Sequence, residues 1–334
     1  MSAYPTAAFT AEVTQVRQLS RDFMRISLAS EQLSGLAAPA GDGRGPVTDA
    51  YLKLLIPAPG APSPVPVEFD ETWRQRWFAA SLAERGGWMR TYTLRAARPW
   101  TGAEGGVGVE IDVDLVLHGL QESGDAALPD SPGQAAGSAG PAARWAAAVQ
   151  RGEQVTLLGP TREGRLWSSW NPQGARTVII CADESALPAA FSCLEDLPDG
   201  AQTRLILEIA PGNRELFDSL EPELRAASER GVVVEHHERV PGSARGEATL
   251  RALRKAFGLE AQEAGGLRGT LAASVPEPEE IVWGVPQDPS DLYVFLAGEA
   301  SVVRAARRLC LREAGVERPS IAFMGYWKAG RAES

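Results

Sequence analysis

The chain has 334 residues, a formal net charge of -10 and 44% hydrophobic residues, which suffices for two domains with ordinary cores. The acidic balance excludes a nucleic-acid-binding protein that depends on a basic surface. No apolar run approaches the ~20 residues of a membrane span, and residues 1–10 lack the layout of a signal peptide. We therefore expect a cytoplasmic protein that does not insert into a membrane. Cys181, Cys193 and Cys310 lie far apart with no Cys-x-x-Cys, which argues against a zinc site, an iron-sulfur site and a disulfide framework.

Six alternating runs predict β-strands in the first half of the chain, with Gly- and Pro-rich turns between them. They cover residues 9–16, 23–28, 51–56, 91–97, 108–117 and 154–158. This order, with little intervening helix, predicts a six-stranded antiparallel β-barrel within residues 1–170. In the strand at 108–117, acidic residues alternate with aliphatic ones, which predicts one acidic and one apolar face.

The composition changes near residues 170–174, where we place the junction to a second domain over residues 175–334. Alternation of strands with helices predicts a parallel sheet that helices cover on both faces, hence an α/β domain. The predicted strands are residues 177–181, 204–209, 232–236, 292–296 and 321–324. The predicted helices are residues 186–194, 214–230, 245–257 and 300–314.

One strand of the first domain carries side chains suited to a ligand. Its alternation places Arg90 and Tyr92 on one face and Thr91 and Thr93 on the other. Tyr92 can lie against an aromatic ring, Thr93 can reach a ring heteroatom, and the Arg90 fork can bind a phosphate oxygen. A ligand that is flat, aromatic and anionic fits this strand, and a flavin dinucleotide has these properties.

The pattern Arg-x-Tyr-Thr at residues 90–93 resembles the flavin-binding strand of the ferredoxin-NADP reductase superfamily. Four further segments resemble, in order and spacing, the siderophore-interacting proteins, which are flavin-dependent ferric-siderophore reductases. These segments are residues 117–119, 140–146, 182–189 and 325–330. The resemblance spans nearly the whole chain. It implies a ferredoxin-reductase-like fold with FAD on the barrel and NADPH or NADH on the α/β domain.

The resemblance also implies FAD contacts outside the Arg90 strand. In the family, the Gly-Pro-Ala segment follows His-Gly within a few residues, whereas here a Gly- and Ser-rich stretch at 120–139 lies between them and resembles a flexible insertion. Gly140 precedes a predicted helix with proline in an early position, and the amide groups at its start would hold the diphosphate. The predicted FAD contacts are Arg90, Thr91, Tyr92, Thr93, Asp112, His118, Gly140, Ala142, Ala143, Trp145, Tyr326 and Trp327.

The nicotinamide cofactor is expected at the turn after the first strand of the second domain, where no Gly-x-Gly-x-x-Gly is present. The family usually has Gly-Asp-Glu-Thr there, and this chain has the small residues Ala182 and Ser185 at the first and last positions. Asp183 and Glu184 would repel a phosphate placed directly above them. The arginines of the last predicted helix either form a solvated face or contact a 2'-phosphate. The predicted contacts are Asp183, Glu184, Ser185, Ala186, Glu299 and Arg304.

The implied reaction is the reduction of a ferric siderophore by NADPH, NADH or ferredoxin through the flavin. Hard oxygen donors hold ferrous iron far less well than ferric iron, so reduction releases it. We predict Lys53, Arg90 and Lys328 as contacts of the anionic chelate. No protein metal ligand and no catalytic side chain are expected, because the flavin carries the electron transfer.

Two alternatives stay open at this point. One is a general reductase of free flavin, quinones or ferredoxin on the same fold, and the other is a non-catalytic module that binds a siderophore or a flavin. We expect a monomer without a nucleic-acid partner.

Overall fold

The computed structural model describes residues 5–37, 47–64, 70, 72–117, 139–259, 283–284 and 291–329. The chain divides into two compact units between Ser168 and Ser169. In the part of the chain that is described, no helix is long and apolar enough to cross a membrane.

The first unit is built on an antiparallel sheet. Its strands are β1 (Thr6–Ser20), β2 (Phe23–Ser30), β3 (Tyr51–Pro57), β4 (Gly87–Thr93), β5 (Ala96–Thr101), β6 (Val107–Val116) and β7 (Gln154–Pro160). Among the described residues the order is β4-β3-β7-β1-β2-β6-β5, and every pair is antiparallel. Helices α1 (Trp73–Ala79), α2 (Leu82–Arg85) and α3 (Pro141–Ala148) belong to this unit, and α3 packs its alanines on the core. The predicted antiparallel β-domain is confirmed.

The predicted number of six strands is one too few, because the run at residues 91–97 forms the end of one strand and the start of another. β4 pairs with β3, whereas β5 pairs with β6 at the opposite end of the strand order. Leu94 N–H donates to the carbonyl of Ala50 at 2.7 Å, and Arg95 N–H donates to the carbonyl of Asp112 at 2.9 Å. The chain thus changes pairing partner at Leu94–Arg95, and the alternation in the sequence does not reveal the change.

The second unit contains the predicted parallel sheet. Its strands are β8 (Thr177–Asp183), β9 (Gln202–Ile209), β10 (Val233–Glu238), β11 (Trp283–Gly284), β12 (Leu292–Glu299) and β13 (Ile321–Trp327). Their order in the described chain is β10-β9-β8-β12-β13-β11, with β11 antiparallel and the others parallel. Its helices include α4 (Leu187–Leu194), α5 (Arg214–Ser219), α6 (Glu221–Glu229), α7 (Glu247–Ala256) and α8 (Ala300–Arg312).

Both faces of this sheet are covered, as predicted. Ile179 and Leu296 belong to a buried cluster with residues of α7 and α8. On the opposite face of β12, Phe295 packs edge-on against Trp170, with ring centroids 5.8 Å apart. The single helix predicted over residues 214–230 is instead α5 and α6, because Pro222 in the first turn of α6 has no N–H with which to continue α5.

Candidate functional site

The predicted flavin strand is β4, and its partner β3 shows how its side chains are distributed. Lys53 lies opposite Thr91, and Leu52 lies opposite Tyr92, so these pairs occupy opposite faces. Tyr92 is half-buried and packs against the core cluster that contains Leu52. The Nζ of Lys53 donates to Oγ1 of Thr91 and lies 5.7 Å from the ring centroid of Tyr51. The alternation predicted for this strand is therefore observed.

Arg90 and Thr93 occupy the middle and the end of β4. Arg90 is half-buried, and its Nη1 donates to the carbonyl of Met89 at 2.9 Å. A guanidinium carries five N–H donors in a planar fork, which matches the oxygen atoms of a phosphate. Thr93 is buried where β4 ends. Both residues have the chemistry predicted for contacts with an anionic ligand.

Helix α3 begins in a way that suits a diphosphate. Gly140 precedes it in an extended conformation, Pro141 is in the first turn, and no side chain of the described residues caps the start. A Cβ placed on Gly140 would meet no described atom within 4 Å. Ala142 and Ala143 are buried against the core and Trp145 is half-buried beside it. The amide groups of this first turn stay the predicted contacts of the FAD diphosphate.

Asp112, another predicted FAD contact, lies on the acidic face of β6. Its Oδ1 accepts from Oγ of Ser27 at 2.7 Å, and its Oδ2 accepts from Nη1 of Arg98 at 2.8 Å. Burial raises the pKa of this carboxyl group, but the bonds from Arg98 and Ser27 outweigh burial and hold the pKa below its ordinary value of 3.8. The aliphatic residues of β6, such as Ile111 and Val113, face the core. The acidic and apolar faces predicted for this strand are thus confirmed.

Replacing Arg98 should destabilise the first unit. We expect Arg98→Ala to lower the free energy of unfolding by about 1–3 kcal/mol at neutral pH, because Asp112 would lose the charged partner that donates to both of its oxygens. Asp112 has a lowered pKa, so its pairing stabilises the fold above pH 3.8 and this stabilisation is lost as the pH falls further. The difference between wild type and variant should shrink accordingly in acid denaturation curves. Arg21→Ala, which affects an exposed pair with Asp22, is the control and should cost under about 0.5 kcal/mol.

In the second unit, Asp183 ends β8 and accepts hydrogen bonds from several elements. Its Oδ1 accepts from the N–H of Ser185 at 2.9 Å, and its Oδ2 accepts from the N–H of Glu299 at 2.7 Å and from Nε1 of Trp327 at 3.0 Å. Burial and the neighbouring Glu184 raise the pKa of Asp183 to about 6. A carboxylate in this position connects the turn after β8, the end of β12 and the end of β13.

Glu299 ends β12 and caps helix α8. Its Oε2 accepts from the N–H groups of Ser301 at 2.7 Å and Val302 at 3.1 Å, and its Oε1 accepts from the N–H of Ala329 at 3.2 Å. The preceding Gly298 has a φ of +138°, and a Cβ there would come within 2.6 Å of the Asp183 carboxylate. The Asp183 carboxylate therefore lies against the backbone of residue 298 only because that residue has no side chain.

The remaining predicted residues are placed as follows. Glu184 and Ala186 are buried, Arg304 is half-buried on α8, Tyr326 is half-buried on β13, and Lys328 is exposed just after β13. His118 lies outside the described residues. The structure brings Ser185, Glu299 and Trp327 each into hydrogen-bond contact with the carboxylate of Asp183.

Two family models match the chain, one described as a siderophore-interacting FAD-binding domain over residues 12–164 and one as siderophore-interacting protein over residues 175–330. The chain belongs to the siderophore-interacting protein family. The curated relatives of this family member include ferric vibriobactin reductase ViuB of Vibrio cholerae, which is 24% identical over 95% of this chain and 88% of its own length. An uncharacterized protein of Mycobacterium tuberculosis is 27% identical over 100% of this chain and 94% of its own length.

Solved structures agree with the fold of a siderophore-interacting protein. A siderophore utilization protein from T. fusca matches with a TM-score of 0.57 and 24% identity, covering 99% of this chain and 96% of its own. The siderophore-interacting protein SipS from Aeromonas hydrophila also matches with a TM-score of 0.57, at 22% identity and with 99% and 95% coverage. A ferredoxin reductase of carbazole 1,9a-dioxygenase matches at a TM-score of 0.50 and 13% identity over 98% of this chain and 71% of its own. The fold is thus ferredoxin-reductase-like.

Two further residues of this siderophore-interacting protein, Arg245 and Glu208, lie at the carboxyl edge of the second sheet and were not among the predicted contacts. The guanidinium of Arg245 lies over the Trp327 ring, 4.6 Å from its centroid, and its Nη1 lies 3.6 Å from Oε1 of Glu184. Glu208 of β9 accepts from the N–H groups of Gly246 at 2.7 Å and Thr249 at 3.0 Å, so it caps α7 as Glu299 caps α8. Both residues are distant in sequence from their partners, so no spacing pattern could indicate them.

Proposed function

We propose that this siderophore-interacting protein is an FAD-dependent ferric-siderophore reductase that releases iron inside the cell. The observation that carries the proposal is the start of α3, which no described side chain caps, within a region matched by the siderophore-interacting FAD-binding domain. The relatives named as ferric vibriobactin reductase and ferric acinetobactin reductase support the same activity. They favour it over a general flavin or quinone reductase and over a non-catalytic binding module.

In this proposal the residues of the first unit bind and orient FAD. The first-turn amides after Gly140 hold the diphosphate, Arg90 adds a charged hydrogen bond to phosphate, and Tyr92 packs against a ring of the cofactor. When bound, the flavin supplies the conversion between two-electron and one-electron transfer. Thr91, Asp112, His118 and Tyr326 stay predicted contacts of the same cofactor.

NADPH or NADH is the proposed electron donor, and ferredoxin is the alternative. A doubly wound parallel sheet with a strand-order reversal between β8 and β12 supports a nicotinamide donor, since such sheets bind ligands at the carboxyl ends of their strands. Arg304 would contact a 2'-phosphate. All three free cysteines are buried, which is compatible with a monomer in the reducing cytoplasm.

The ferric siderophore is the substrate of the proposed reaction. Lys53, Arg90 and Lys328 would attract an anionic chelate, and the loss of one positive charge from the iron weakens its hold by hard oxygen donors. No iron ligand from the protein is needed for this reaction.

An anaerobic absorption spectrum tests the proposal. The purified protein, loaded with FAD, should show two flavin bands that bleach on addition of NADPH or NADH and return on addition of a ferric siderophore. Bands that bleach only with reduced ferredoxin would favour the other donor. Faster return with a dye or free flavin than with any ferric siderophore would favour the general reductase, and bands that no donor bleaches would favour a binding module.

A further inference from the structure

The second unit places one of its own side chains where a ligand is expected. The reversal in strand order lies between β8 and β12, and the carboxyl ends of these strands define a crevice. Asp183 ends β8 and Glu299 ends β12. At this point Nε1 of Trp327 donates to Oδ2 of Asp183 at 3.0 Å, so an indole from β13 lies at the ends of both strands.

Three contacts hold the C-terminal segment Trp327–Ala329 in this place. The indole edge is bonded to Asp183, and the N–H of Ala329 donates to Oε1 of Glu299 at 3.2 Å. The indole face is covered by the guanidinium of Arg245 at 4.6 Å. Because the edge and the face of the ring are both engaged, the orientation of Trp327 is fixed from two directions.

Asp183 is linked to Glu299 through the backbone amide of Glu299. Oδ2 of Asp183 accepts from the N–H of Glu299 at 2.7 Å, and Glu299 in turn accepts from the segment. The Arg245 guanidinium is itself 3.6 Å from the buried Glu184. The turn after β8 therefore determines both where the indole edge is bonded and where its covering cation lies.

We propose that Asp183 is a positioning residue, which holds Trp327 and the segment Trp327–Ala329 at the crevice between β8 and β12, and that neutralising Asp183 releases this segment. The inference rests on the proposed function in one respect only: the position of this segment affects the binding of the proposed nicotinamide donor in the crevice.

The charged groups around Asp183 determine the pH at which the segment Trp327–Ala329 is released. Facing it are Glu184 in the following turn, Glu299 on β12 and Arg245 before α7, while Glu208 and Arg239 line the same cavity. Burial and Glu184 raise the pKa of Asp183 to about 6. The charged carboxylate accepts the indole and amide hydrogens above that pH, and protonation below it converts one acceptor oxygen to a donor. The segment is held at pH 8 and loosened at pH 5.

Nuclear magnetic resonance of protein loaded with FAD and labelled with ¹⁵N tests this directly, without donor or iron. The indole N–H resonance of Trp327 is assigned with Trp327→Phe, and its chemical shift should change with a midpoint near pH 6 as Asp183 titrates. Its hydrogen exchange, corrected for the intrinsic rate, should be about tenfold faster at pH 5 than at pH 8. In Asp183→Asn the titration should vanish, and the Ala329 amide should exchange fast at both pH values. Trp327→Phe, which leaves the carboxylates intact, should also speed exchange at Ala329.

Trp170→Phe is the matched control, because Nε1 of Trp170 donates to Oδ2 of Asp196 at 3.0 Å in the same unit. This variant should leave exchange at Ala329 unchanged. The KM for the nicotinamide donor should show an inflection near pH 6 in wild type that Asp183→Asn lacks. Wild-type protection of Ala329 in Asp183→Asn or in Trp327→Phe, or a KM inflection that persists in Asp183→Asn, overturns the proposal. Absence of reductase activity alone would instead refute the proposed function, since the exchange measurements do not use it.

Discussion

Arg90→Ala is expected to purify with little bound flavin and to bind added FAD about 10–100-fold more weakly than wild type. A charge-assisted hydrogen bond to a phosphate contributes about 1.5–3 kcal/mol, and the alanine variant loses it while keeping β4 intact. The fold should survive, since Arg90 is only half-buried and an alanine keeps the backbone pairing of β4 with β3. Fluorescence titration of the apoprotein with FAD measures the change in affinity.

Arg17→Ala is the matched control, because Arg17 is an exposed arginine on β1 of the same unit. It should retain flavin as wild type does, which separates the local contact from a general loss of positive charge. Equal FAD affinity of Arg90→Ala and wild type would remove Arg90 from the cofactor site. The start of α3 would then be left as the principal diphosphate contact.

Strands and helices with a clear hydrophobic periodicity were predictable from the sequence. The buried aliphatic runs of β8, β9 and β12 and the helices α7 and α8 match their predicted positions within a few residues, because period and burial are local properties. The switch of pairing at Leu94–Arg95 was missed, since hydrogen-bond partners are set by distant strands. The break between α5 and α6 could have been predicted from Pro222, because proline is favoured in the first turn of a helix.

The candidate sites were predictable to different degrees. Arg90, Tyr92 and Gly140 carry their chemistry in short motifs, so the sequence alone indicated them. The use of Asp183 and Glu299 as acceptors for the C-terminal segment depends on three strands that meet only in the folded sheet. A sequence motif indicates which residues are suited to a site, whereas their hydrogen-bond partners depend on the topology of the sheet.

The start of α3 differs from the starts of α7 and α8 in the second unit. Glu208 caps α7 and Glu299 caps α8, whereas the start of α3 has no side-chain cap among the described residues. Amides already bonded to a carboxylate are poor partners for a phosphate, because the ligand would have to displace a negative charge. The starts of α7 and α8 are therefore poorer places for a tightly held diphosphate than the start of α3.

Gly298→Ala should be the most damaging single-methyl change in the second unit. A side chain at a φ of +138° costs about 1–3 kcal/mol, and the added Cβ would lie 2.6 Å from the Asp183 carboxylate, which adds about 1–3 kcal/mol of overpacking. We expect the free energy of unfolding of this unit to fall by about 2–6 kcal/mol in urea denaturation.

Gly231→Ala separates backbone strain from overpacking as causes of the destabilisation. Gly231 also has a positive φ, of +82°, but a Cβ there would meet no described atom within 4 Å. It should cost only about 1–2 kcal/mol, from backbone strain alone. A second readout identifies the mechanism: in Gly298→Ala the carboxylate must move, so the Ala329 amide should lose protection from exchange, whereas in Gly231→Ala it should not. Equal costs for the two variants, with Ala329 protected in both, would mean that the approach of Gly298 to Asp183 does not organise this edge of the sheet.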